Sequence, residues 1–187
     1  MKNKTKPRPR LSRESWLETA FKLLYKGGIK SVSIDALATE LDITRGSFYH
    51  HFENRGDLHS EMISFWKQTW TMEIRDTIAA LGLDGRQSLI ALENLIKHRQ
   101  AAEYDVAMRD WAVHDKRVMK AVAETDKIRL DFIRSQFAKL GFEGLDLENR
   151  SRLFLYNAMI APSFMDPPDE KIAAELDRAR FQYLTTK

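Results

Sequence analysis

The chain has 187 residues, 43% hydrophobic and 30% charged, which is enough apolar material for a core built without metal or crosslink. It contains no cysteine, which excludes disulfides and thiolate chemistry, and its net charge is only +3. No run of 18 apolar residues and no apolar leader core is present, so a cytoplasmic protein without a membrane span is expected.

In chain order, residues 1–11 read as a flexible basic arm: "MKNKTKPRPR" holds five Lys/Arg before any acid. Residues 1–55 carry 11 Lys/Arg against 6 Asp/Glu, while the remainder carries 19 against 21. The excess suits contact with a polyanion, with Arg8 and Arg10 the foremost candidates, or a solvated tail. From Ser12, Trp16, Leu17, Ala20, Phe21 and Leu24 recur at helical spacing, and Gly27 and Gly28 stop that helix. Ser33 caps a second helix over 33–41, with Ile34, Leu37, Ala38 and Leu41 on one face. Asp42 and Ile43 make a tight turn. Thr44 then caps a third helix of about two turns, to His50 or His51. Asn54 opens a long fourth helix over 54–80, with Asp57 in the capping-box position. Five more helices follow, over 86–100, 103–114, 116–140, 146–161 and 169–184, with Pro162 ending the eighth. Few prolines and glycines and little strand-like alternation predict an all-α fold of nine helices.

The stretch "ITRGSFYHHF" (43–52) places five ring-bearing residues in a row. Phe48 and Phe52 are four apart and should point inward, near Ile43 and Leu58. Arg45, Ser47, Tyr49, His50 and His51 are left to face outward, and Gly46 removes a side chain where the backbone could approach DNA closely. Adjacent His50 and His51 diverge by roughly 100° on a helix, so no metal site is expected. Three short helices with a tight turn between the second and third are the makings of a helix-turn-helix, in which a partner helix props the reading helix against the phosphates.

"SIDALATELDITRGSFYHHFENRGDL" (33–58) resembles the TetR family of transcriptional regulators. Gly46, Ser47, Phe48, Tyr49, His51 and Phe52 stand at the spacing of that family's "G-[ST]-[LIF]-Y-x-[HY]-F" block. The likeness is specific over residues 12–66; residues 67–187 match in length and helix count, and 108–142 is similar to a pattern in some members' ligand domains. Two positions depart from the pattern: Asp42 stands where the family has glycine, and Arg55 where it has lysine. The resemblance implies phosphate contacts from Ser33, Thr44, Tyr49, His51 and Arg55, and a base-reading face of Arg45, Ser47 and His50. Arg45 is the candidate for a bidentate contact to guanine.

The resulting organisation is an arm (1–11), a helix-turn-helix domain (12–56), and a ligand-binding and dimerisation domain (57–187). In the last, helices apolar on more than one side leave room for a cavity. Expected linings include Trp66, Trp70, Ile74, Leu92, Ile96, Tyr104, Met108, Trp111, Phe132, Phe137, Phe154 and Met159, with His98, Arg99, Arg109, His114 and Asn157 as polar candidates. Arg109 and Asp110 are better suited to a structural ion pair with neighbouring helices. The resemblance implies a homodimer through the last two helices, binding a near-palindromic double-stranded operator, since two reading heads about 34–36 Å apart supply usable specificity. The function expected is a repressor released from DNA by a small apolar or amphipathic effector, with no cofactor. The same fold could serve an activator or a ligand-independent regulator. A helical enzyme finds little support: no ligand-spaced metal motif, nucleophile–base pair or phosphate loop is present.

Overall fold

The computed structural model describes residues 12–159 and 169–187. They form ten α-helices, and a π-helical stretch, Gln68–Met72, joins α4 (Arg55–Lys67) to α5 (Glu73–Ala80) in one run, so nine helical segments and no strand occur among the described residues. Contacts cluster into two compact units, Met1–Met62 and Ile63–Lys187. The boundary falls inside α4, six residues beyond the 56/57 division that the sequence suggests.

In the first unit, Ser12 caps α1 (Arg13–Gly27) by accepting from the Ser15 N–H at 3.2 Å. Gly28, at φ +68°, ends it, its N–H returning to Leu24 O at 2.8 Å. A 3-10 turn, Ile29–Ser31, leads to α2 (Ile34–Glu40), capped by Ser33 through the Ala36 N–H at 3.1 Å. The turn after α2 is a Schellman motif: Ile43 N–H bonds Ala38 O at 2.9 Å and Asp42 N–H bonds Thr39 O at 3.1 Å. Its left-handed position is filled by Asp42, at φ +53°. Trp16, Phe48 and Phe52 form the aromatic centre, with Phe48 5.6 Å edge-on to Trp16 and 5.2 Å from Phe52.

The third helix is shorter than its sequence predicts. α3 spans only Arg45–Phe48; beyond it His50 N–H reaches Ser47 O at 3.3 Å and His51 N–H reaches Phe48 O at 2.9 Å, tighter three-residue turns rather than a second α turn. Asn54 opens α4 by accepting from the Asp57 N–H at 3.0 Å, while Asp57 accepts from the Glu53 N–H rather than from Asn54.

The second unit contains α6 (Gly85–His98), α7 (Ala101–Ala112), α8 (Lys116–Lys139), α9 (Gly144–Met159) and α10 (Glu170–Thr185). Its core includes Leu89, Met108, Ile133, Phe137 and Phe154. It also buries charge: Glu93, Asp105 and Arg129 are 2%, 0% and 8% exposed. Gly85 is required by packing, because a Cβ there would lie 2.4 Å from the Gln136 carbonyl oxygen. The π stretch is pinned by Arg99, whose Nη1 donates to the Thr69 carbonyl at 3.1 Å. The predicted arm, Ile160, Ala161 and the Pro162 stop lie outside the described residues.

Candidate nucleic-acid interface

The 43–52 stretch sorts into the two expected faces except that Ser47 and His51 are only partly exposed. Phe48 and Phe52 are 0% and 2% exposed, whereas Arg45, Gly46, Tyr49 and His50 lie at the surface. Gly46 has no internal reason to be glycine: a Cβ there would meet only Thr44 Oγ1, at an ordinary 3.7 Å. Thr44 and Ser47 hold their hydroxyls 3.3 Å apart on the same exposed edge, with Thr44 making no side-chain cap. Tyr49 is 61% exposed, its ring edge-on to Phe48 at 5.3 Å, so the core fixes the ring while the hydroxyl end faces out.

Other candidates are partly committed to the fold. His51 is half-buried, its ring 6.1 Å from Trp16 and 6.4 Å from Phe52. Ser33 is engaged as the α2 cap. Arg55 donates to the Ile29 carbonyl at 3.1 Å while remaining exposed. Arg45 forms a two-pronged ion pair with Asp35 of α2, both side chains about two-thirds exposed at 67% and 61%. Sequence reasoning missed Asp35. The pair links residues ten apart across the turn, and only the known course of that turn could have revealed it.

The residues expected to form a cavity divide differently. Trp70, Ile74, Leu92, Ile96, Phe132 and Met159 do line one cavity in the second unit. Trp66, Met108 and Trp111 are buried away from its wall, and Tyr104 stacks on Trp70 at 4.6 Å. None of the five polar candidates, His98, Arg99, Arg109, His114 and Asn157, is in the wall. His98 is exposed at the end of α6, because it lies one residue outside the Leu92–Ile96 face. Asn157, with its carboxamide oriented to match its neighbours, accepts from Arg180 Nη1 and Nε at 3.0 and 3.2 Å. The polar groups in the wall are Thr71, Arg75 and Arg129, which sequence reasoning passed over. Arg109 makes the interhelical pair: it donates to Asp126 of α8 at 2.9 and 2.6 Å and to Asp105 at 2.9 Å, and these carboxylates raise its pKa further even though burial opposes the charge.

No cluster of His, Cys, Asp or Glu able to hold a metal occurs among the described residues, and none of their helices is long and apolar enough to cross a membrane. Residues 17–62 match the family model of bacterial regulatory proteins, tetR family. The chain is 36% identical over 62 residues to the HTH-type transcriptional regulator AcrR of Shigella flexneri, covering 33% of this chain and 29% of that protein. It is 29% identical over 122 residues to the transposon Tn10 TetC protein of Escherichia coli, covering 64% and 58%. The alignments therefore span less than two thirds of either relative's length. A TetR/AcrR-family transcriptional regulator from Thermobifida fusca shares the fold, with TM-score 0.63 at 15% identity over 93% of this chain and 96% of that one. With the turn and the aromatic centre inside the matched block, residues 17–62 of this chain are those of the tetR family of bacterial regulatory proteins.

Proposed function

We propose that the chain is a DNA-binding transcriptional regulator whose α2–turn–α3 segment enters the major groove. The observation that carries this reading is Gly46: no internal contact requires it, and it sits amid Thr44, Arg45, Ser47 and Tyr49 on an exposed edge. A missing side chain there serves a close approach from outside. Ser33, Thr44, Tyr49, His51 and Arg55 contact phosphates, and Arg45, Ser47 and His50 read bases. Two copies join through α9 and α10, where Leu153, Tyr156, Ile172, Leu176 and Tyr183 are 49–74% exposed, and together they bind a near-palindromic operator. The regulator is a cytoplasmic repressor. A small effector in the second unit releases it by preferring a conformation with lower DNA affinity.

The test is a gel shift of the folded protein on DNA upstream of its own coding region, with a salt titration. Binding should weaken steeply with salt, by about 0.9 in logarithmic slope for each phosphate neutralised. Absence of binding at low salt by a folded protein would overturn the reading.

A further inference from the structure

Arg129 on α8 is held almost out of solvent, with its side chain 7% exposed. Its Nε donates to Thr71 Oγ1 at 2.9 Å and its Nη1 to Asp105 Oδ1 at 2.5 Å, but its buried Nη2 has no hydrogen-bond partner. Such a group is costly to leave unsatisfied. In a planar guanidinium the two N–H groups of Nη2 lie one on the edge shared with Nε, beside Thr71, and one on the edge shared with Nη1, and both are open here. Thr71 and Arg129 both line the cavity of the second unit, alongside Trp70, Ile96, Phe132 and Met159.

The backbone is irregular at the same place. Trp70 and Thr71 belong to the π stretch Gln68–Met72, and both of these consecutive side chains are buried, at 8% and 3% exposure. Interruptions of this kind concentrate at functional sites. A cavity, a donor without an acceptor and a π turn thus coincide.

Charge balance selects the guest. Asp105 and Asp126 face Arg109 and Arg129, two anions against two cations. Arg75, also in the wall, is paired with Asp76 at 2.6 Å. A carboxylate entering here would bring a charge that no cation awaits. An uncharged oxygen can accept from Nη2 without disturbing the balance.

We propose that this cavity binds a small apolar molecule through an uncharged carbonyl oxygen that accepts from Arg129 Nη2. The proposal rests on the reading of the second unit as an effector domain. The cavity volume is about 30 Å³, too small for a ring-sized guest, so such a guest widens it on entry.

Cyclopentanone, methylenecyclopentane and cyclopentanecarboxylate share a ring and differ in the acceptor they offer. Each is titrated into the full-length protein while the arginine Nε–H and tryptophan Nε1–H resonances are followed by NMR. The ketone should bind about tenfold more tightly than the alkene, as a hydrogen bond to a charged donor requires, and more tightly than the carboxylate. The Arg129 Nε–H signal should shift with the ketone. Arg129→Lys keeps a cation beside Asp105 but removes Nη2, and should reduce the ketone to the affinity of the alkene. Should that variant fail to fold, the comparison of probes on the unaltered protein still decides. Equal binding of ketone and alkene, tightest binding of the carboxylate, or no binding by any probe overturns the proposal. If the ketone binds as expected but leaves operator affinity unchanged, the site stands and the effector reading falls.

Discussion

Two arginine–aspartate pairs of similar chemistry do opposite things in this chain. Arg129–Asp105, in the second unit, is 7% and 0% exposed; Arg45–Asp35, in the first, is 67% and 61% exposed. The buried pair cannot exchange with solvent, and breaking it strands a charge. The exposed pair competes with water at every moment and contributes little to stability. The environment of the pair thus separates a structural lock from a contact that can be traded for another partner.

The largest effect should come from cutting the buried pair. Asp105→Ala takes from buried Arg129 its hydrogen-bonded anion, leaving only Asp126 at 3.8 Å, and removes one of the two carboxylates bound by Arg109. A loss of about 3–5 kcal/mol is expected, read from urea unfolding of the purified protein. A loss under about 1 kcal/mol would show that Arg129 relaxes to solvent and that the contrast between the pairs is false.

Arg45→Ala should leave stability almost unchanged while costing about 1–3 kcal/mol of operator discrimination at one base pair, measured by competition between operator variants. Unchanged discrimination would remove Arg45 from the base-reading face and leave its exposed pairing with Asp35 without consequence.

The two units also differ in how much of them the sequence discloses. In the first, the cap at Ser33, the inward Phe48 and Phe52 and the outward Tyr49 follow from spacing and side-chain chemistry, because an apolar face and a hydroxyl cap are local signals. The end of α3 at Phe48 was not legible: propensity allows another turn, and the descent into Asn54 cuts it short. In the second unit the helices were legible to within a few residues, but their interior was not. Asp105, Glu93 and Arg129 occupy buried positions that periodicity assigns to apolar side chains, and their partners come from other helices. The π stretch leaves no mark in composition, since Gln68–Met72 reads as ordinary helix.

A smaller effect is expected at a second matched pair of features, the turns after α2 and α8. Both are Schellman motifs: Phe142 N–H bonds Phe137 O and Gly141 N–H bonds Ala138 O, as Ile43 and Asp42 do in the first unit. Gly141 takes φ +82° freely, whereas Asp42 takes φ +53° against its Cβ. Asp42→Gly should therefore stabilise the first unit by about 0.5–1 kcal/mol, the relief of the left-handed strain being partly offset by the freedom glycine gains on unfolding. A raised urea midpoint checks it. A lowered one would mean that the contacts of the Asp42 side chain outweigh its backbone strain.

The smallest stability effect, and the most informative for function, belongs to Asp35→Asn. Removing an exposed carboxylate should change unfolding by less than about 1 kcal/mol. Its consequence should appear on DNA. Arg45 presents to Asp35 the same fork that would meet guanine, so the carboxylate competes with DNA for the guanidinium. A guanine edge can replace both prongs, whereas a single phosphate oxygen replaces them less well, so Asp35 should penalise non-specific binding more than operator binding. With asparagine there, affinity for random DNA should rise and its salt slope should steepen by about 0.9, one additional phosphate contact. The ratio of operator to random-DNA affinity should fall accordingly. If operator affinity falls instead while random-DNA affinity stays constant, Asp35 holds Arg45 in its reading position rather than competing for it, and the exposed pair is then a support for recognition.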